Sequence, residues 1–136
     1  MPIESLMEHE RIWCQGLNRG DVSAAEAAFA PDCVIHITGV AVPLRGVGPW
    51  KDLVSGLLQA FPDLHFTIDE QLVQGSRVAF RWHATGTHGG PLGAAPATGK
   101  AIAIDGLTID HVVDGKVQER WEQWDQSVML QQLGFA

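Results

Sequence analysis

Apolar residues return at helical spacing along the first stretch of the chain, at Ile3, Leu6, Met7, Trp13 and Leu17. This predicts a helix over 3–17, stopped by Asn18-Arg19-Gly20. Asp21 can cap a second, alanine-rich helix that runs to Phe29 and is closed by Pro31. Val34 to Ile37 reads as a short strand, and the Gly- and Pro-containing stretch from Gly39 to Pro49 as a loop. A third helix is expected from Trp50 to Ala60, ended by Phe61-Pro62. After Pro62 the helical spacing gives way to strand-like runs at 64–73, 77–87, 100–113 and 116–127, with a helical tail over 129–133. The segment from Gly89 to Gly99 is a loop too poor in polar residues to be an ordinary solvated linker. Helices first and an antiparallel meander afterwards make an α+β order, with the helices expected on one side of a single sheet.

The last two strands form a hairpin turning at Asp114-Gly115, and its register decides which side chains share a face. A two-residue turn pairs Val113 with Lys116 and sets Ile104 opposite Asp125. A three-residue turn with Gly115 at a left-handed bulge pairs Val112 with Lys116 and sets Ala103 opposite Asp125. The bulged register sorts the strands more cleanly. One face then collects Asp105, Leu107, Ile109, His111, Val117, Glu119, Trp121, Gln123 and Asp125. The more polar face collects Thr108, Asp110, Gln118, Arg120, Glu122 and Trp124. The first set is expected under the helices, so that His111, Trp121 and Asp125 line one cavity, while Trp124 lies on the outer face.

A chain of 136 residues has the length of one domain, taken as 1–136, with room for one core and one pocket. Hydrophobic residues are 46% and charged residues 18%, which argues against disorder. The net charge of −7 and nine dispersed Lys and Arg leave no footprint for a phosphate backbone, so nucleic acid is not an expected partner. Glu4, Glu8 and Glu10 stand where a signal peptide would be basic, and no run approaches a membrane span, so a cytoplasmic protein with no membrane partner is expected. Cys14 and Cys33 suggest neither a disulfide framework nor a zinc site and read as small buried hydrophobes. The six histidines show no HxH or HExxH spacing, and the glycines at 86–93 lack the strand–GxGxxG–helix context of a dinucleotide site. Neither metal nor cofactor is expected.

Six strings then come in order: Phe61-Pro62-Asp63-Leu64, Arg81-Trp82, Gly86 to Gly90, Pro96 to Lys100, Val113 to Val117, and Trp121 to Asp125. Together they resemble the SnoaL-like polyketide cyclases, or ester cyclases, of the nuclear transport factor 2-like superfamily. The resemblance implies a cone-shaped fold, with helices closing over a curved, mostly antiparallel sheet around an apolar pocket. It also implies cofactor-independent closure of a polyketide ring by an intramolecular aldol reaction. In that family an aspartate on the final strand is the general acid/base, matching Asp125; a neighbouring histidine matches His111, and His36 is the nearest counterpart of a third pocket residue. Substrate contacts are expected from His36, Trp50, Arg81, His88, Leu107, Ile109 and Trp121.

Bland readings stand beside these. Asp125 can simply cap the terminal helix, His111 can be a surface residue, and Arg81 can pair with Asp63. His88 can gate the pocket or merely shape its loop. Trp13, Trp50 and Phe61 are expected in the core or pocket lining. The chain has no tyrosine, which sets it apart from ketosteroid isomerase-like and scytalone dehydratase-like sites. Arg81-Trp82-His83 does not supply the Arg-x-Asp of limonene epoxide hydrolase-like ones. The expectation is a cyclase or isomerase acting on a carbonyl-containing small molecule, in a homodimer. The alternatives are a non-catalytic small-molecule binding domain, or a hydrolase or dehydratase on the same scaffold.

Overall fold

The computed structural model describes residues 3–135, with side chains from 6 onward. The elements run α1 (Ile3–Asn18), α2 (Ala24–Ala28), β1 (Phe29–Ile37), β2 (Leu44–Arg45), α3 (Val47–Ala60), β3 (His65–Gln74), β4 (Arg77–Thr87), β5 (Ala101–Val113), β6 (Lys116–Trp124) and α4 (Gln126–Leu133). Ile3, first in the predicted apolar stripe, has its side chain outside the described residues. The six strands form one curved, mixed sheet in the order β2-β1-β6-β5-β4-β3, an α+β architecture. Among the described residues only β1 and β6 pair in parallel. None of the helices among the described residues is long and apolar enough to cross a membrane.

The predicted elements recur with shifted ends. The second helix is only five residues long, because Phe29 already enters β1, and that strand carries Pro31 within it. An extended segment there is compatible with the fixed φ of proline, whereas a helix is not. β2 pairs with β1 inside what reads as the 39–49 loop.

Burial alternates strictly along β5, with Ile102, Ile104, Gly106, Thr108, Asp110 and Val112 inward. On β4 the inward residues are Val78, Phe80, Trp82, Ala84 and Gly86. α1, α3 and α4 bury Leu6, Trp13, Leu17, Trp50, Val54, Met129 and Leu133, in two clusters with the inward residues of the sheet. Gly106 has a steric reason: a Cβ there would lie 2.1 Å from the Trp82 ring, whose Nε1–H donates to Thr108 Oγ1 at 3.0 Å.

The hairpin combines features of both sequence-level registers. Asp114 (φ 53°) and Gly115 (φ 79°) are both left-handed, as a two-residue type I′ turn requires, and Val113 pairs with Lys116. The bulge lies two residues further on: Val112 pairs with Val117, but His111 pairs with Glu119, leaving Gln118 as the extra residue. Beyond it the faces separate as the bulged register has them, with Asp110 opposite Arg120 and Ile109 opposite Trp121. Their direction is reversed. The polar set turns toward the helices, while Leu107 and Ile109 are 60% and 45% exposed on the outer face.

The contact at Gly106 sets a test. Gly106→Ala is expected to destabilise by about 1–3 kcal/mol through overpacking against Trp82. Gly56→Ala, on α3 with nothing near its Cβ position, is expected to stabilise by about 0.5–1 kcal/mol. Urea unfolding of the two variants against the parent chain checks both signs.

Candidate active site

Between the helices and the sheet lies a cavity of about 260 Å³. It is slightly smaller than the roughly 300–1,000 Å³ usual for small-molecule sites. Its walls are chiefly apolar, with Trp13 from α1, Trp50 and Leu57 from α3, Phe66 from β3, Phe80 and Trp82 from β4, and Trp124 from β6. Charge enters from one side only, through Glu10 on α1 and through Arg120 and Glu122 on β6.

Arg120 is buried, and its guanidinium is fully engaged on one edge. Nε donates to Asp110 Oδ1 at 2.7 Å, and Nη2 donates to Asp110 Oδ2 at 2.8 Å and to Glu10 Oε2 at 2.5 Å. Such a fork is the geometry in which arginine binds carboxylates most strongly. Its faces rest on aromatic rings, with Cζ 4.8 Å from the Phe29 centroid, 5.5 Å from Phe80 and 5.8 Å from Trp50. The remaining amino group, Nη1, makes no hydrogen bond among the described residues and lies 3.7 Å from Glu122 Oε1. His9 Nε2 donates to Asp110 Oδ2 at 3.0 Å, so Asp110 receives three hydrogen bonds. The buried Nδ1 of His9 has no hydrogen-bond partner among the described residues.

The electrostatics follow from this unequal sharing of one cation. Burial acts on Asp110 to raise its pKa, but Arg120 and His9 outweigh it and hold the carboxyl below the ordinary aspartate range. Glu10 has only one hydrogen bond to Arg120, and burial, aided by the Asp110 charge, pushes its pKa up to about 7. Burial likewise raises Glu122, with Arg120 opposing. Arg120 itself is held above its usual value, since Asp110 and Glu10 outweigh the effect of burial. His9, Glu10 and Asp110 offer donor atoms within 4.8 Å of one another. The Arg120 fork already neutralises two of these donors, so the set fits an ion-pair network better than a metal centre.

The sequence-predicted residues divide sharply. Trp50 lines the cavity, as do Trp13 and Phe61. Asp125 does not: it is exposed, and its Oδ1 accepts from the Ser127 hydroxyl at 2.5 Å and, capping α4, from the Ser127 N–H at 2.9 Å, which together lower its pKa. His111 and Trp121 also fall outside the cavity wall, which overturns the expectation that they and Asp125 line one cavity. The physical reason is the reversed face: Arg120 is satisfied inside by Asp110 and Glu10, so polarity did not mean exposure.

His36 lies on the outer side, with its Nε2 2.7 Å from Glu119 Oε2 and its ring stacked on Trp121 at 5.4 Å. Leu107 and Ile109 are exposed on the same face. Arg81 pairs with Asp69 and Glu70 at 3.6 and 3.5 Å, not with Asp63, whose carboxylate accepts from the Thr87 N–H. His88 is buried away from the cavity wall, its Nδ1 accepting from the Thr98 N–H at 3.2 Å at the base of the 89–99 loop. Trp124, expected outside, lines the cavity; Cys14, expected buried, is half-buried at the cavity wall.

Sequence reasoning missed Glu10, Asp110, Arg120 and Glu122. The available signal was that Asp110 and Arg120 share one face of the hairpin in the bulged register; they come directly opposite only with the bulge at Gln118.

Residues 7–133 match the family model described as SnoaL-like polyketide cyclase. Among solved structures, IdmH of Streptomyces antibioticus, a proposed polyketide cyclase, is 29% identical, with 95% of this chain and 98% of that one covered and a TM-score of 0.84. A proposed polyketide cyclase from Acidithiobacillus ferrooxidans is 27% identical, with both chains covered to 100% and a TM-score of 0.81. AclR of Streptomyces galilaeus, a proposed hydroxylase, is 26% identical, with 99% of this chain and 84% of that one covered and a TM-score of 0.88. No match was found among curated proteins.

The cluster predicts a pH dependence of stability. A carboxyl raised from 4.5 in the unfolded chain to about 7 in the fold makes the native state bind more protons between those values. Stability contributed by Glu10 is therefore full below about pH 4.5 and lost as pH rises through 7. Urea midpoints measured from pH 5 to 7.5 are expected to fall, and the fall should be shallower in Glu10→Gln.

Proposed function

Since the chain belongs to the SnoaL-like polyketide cyclase family, we propose that it is a cyclase-type enzyme closing a ring in a carbonyl-containing, polyketide-like small molecule. One observation carries this reading: the cavity-lining carboxyl of Glu122 lies beside the free amino group of Arg120 within apolar walls.

An intramolecular aldol reaction begins by removing a proton from carbon flanked by carbonyls. A carboxylate does this best when its pKa is raised toward the working pH, and burial raises that of Glu122. The developing enolate oxygen needs a donor already in place. Arg120 Nη1 offers two N–H groups not used elsewhere among the described residues, and the Asp110 fork and aromatic faces hold it still. Proton transfer and charge stabilisation are supplied by the chain's own side chains. The apolar walls suit a planar, largely hydrophobic ligand and exclude competing water. Asp125 and His111, the catalytic pair implied by the family resemblance, have no part in this scheme. The outer sheet face, with Leu107 and Ile109 exposed, supports a homodimer formed through it.

Glu122→Gln is expected to lower turnover of an anthraquinone bearing a β-keto ester side chain by roughly 10²–10⁴-fold. Asp125→Asn, which keeps the helix cap, is expected to retain it. Loss in Asp125→Asn with turnover kept in Glu122→Gln returns the acid/base role to Asp125; binding without turnover in the parent chain favours a binding module. Sedimentation velocity checks the assembly, with a dimer expected for the parent chain and a monomer for Ile109→Glu.

A further inference from the structure

Two carboxyls, not one, meet the cavity at the edges of the same guanidinium. Glu122 comes from the sheet and faces Nη1, while Glu10 comes from α1 and is bound to Nη2. They enter from different elements, α1 and β6, and meet different amino groups of Arg120. Asp110, the third carboxyl, is fully buried, receives three hydrogen bonds and does not line the cavity. Glu10 does line it. Its Oε2 is held by Arg120, and Oε1 has no hydrogen bond among the described residues.

We infer that Glu10 is a second catalytic residue, the acid that protonates the alkoxide formed at ring closure, an inference that rests on the cyclase reading of the same cavity. In the first step the Glu122 carboxylate takes the proton from the activated carbon. The C–H bond breaks, an O–H bond forms, and the electron pair moves into the enolate. The enolate carbon then attacks the second carbonyl, forming the C–C bond and leaving the carbonyl π pair on oxygen as an alkoxide. The Glu10 carboxylic acid gives that oxygen its proton and becomes the carboxylate that Arg120 Nη2 already binds. After release, Glu122 loses its proton to solvent and Glu10 regains one, so the substrate is isomerised with no net change in protons.

The division of labour fits the local electrostatics. A proton donor must be neutral before it acts, and burial holds the Glu10 carboxyl near 7 while Asp110 stays ionised. His9 Nε2, 3.6 Å from Glu10 Oε2, is engaged by Asp110 at 3.0 Å. Arg120 remains close enough to stabilise the carboxylate left behind.

The test separates the two proton transfers on the β-keto ester anthraquinone. Deuterium exchange at its activated carbon, followed by NMR above the buffer rate, reports the first; the absorbance change of ring closure reports the second. In Glu10→Gln, closure is expected to fall roughly 10²–10⁴-fold while exchange stays within about threefold of the parent chain. The alkaline decline of closure, which follows ionisation of Glu10, should vanish in that variant. It should persist in Glu10→Asp, which keeps an acid and guards against a folding defect in the glutamine variant. Exchange and closure falling together in Glu10→Gln, or closure left unchanged, overturns the assignment. Failure of the parent chain to promote either step overturns the cyclase reading itself, and a loss of exchange in Glu122→Gln alone is the mark of the base.

Discussion

A guanidinium taken out of water must be repaid by its surroundings, and in this fold the surroundings of Arg120 come from most of the molecule. Asp110 supplies a fork from the neighbouring strand, Glu10 a carboxylate from the first helix, and Phe29, Trp50 and Phe80 aromatic faces from three more elements. The effective cost of burying an ion is several kcal/mol, and removing one partner from such a pair typically costs about 3–5 kcal/mol because the other charge is stranded. The network therefore ties the β5–β6 register to the docking of α1. A slip of one residue would turn Arg120 outward and leave Asp110 and Glu10 buried together without a cation.

The same constraint sets the chemistry of the cavity. One fixed positive charge is divided among three carboxyls at unequal distances, so the best bound of them is ionised and the other two are held up by burial. A corner that can both accept and supply a proton follows from that inequality, without any group having to move. The apolar walls strengthen it by keeping water away from the charges. Trp82 shows how tightly the floor is set: its ring occupies the space a side chain at position 106 would need, and its N–H is satisfied by Thr108.

Much of the frame was legible in the chain. The helical spacing around Trp13, the breaks at Pro62 and Asp114-Gly115, and the strand-like runs gave the order of elements, and six short strings pointed to the family. The separation of the two hairpin faces was legible too, although the turn is tight and the bulge lies at Gln118. Which face points inward was not. The set with Leu107, Ile109 and Trp121 is the more apolar, and by hydrophobicity alone it belongs under the helices. Inward charges are favourable only once Glu10 and His9 arrive from a helix about a hundred residues away, and nothing local to the hairpin announces them.

Asp125 illustrates the same limit from the other side. A carboxylate two residues before Ser127 has a local use as a helix cap, which the short-range sequence contains in full. Its distance from the cavity is a property of the whole sheet. Short-range pattern gave the main elements other than β2, their order, the turn at Asp114-Gly115 and the family, because these depend on contacts within a few residues or on patterns repeated along the chain. The tertiary structure alone decided the inward face, the sharing of one buried cation among Asp110, Glu10 and Glu122, and hence the site, because the stability of a buried charge depends on partners distant in sequence.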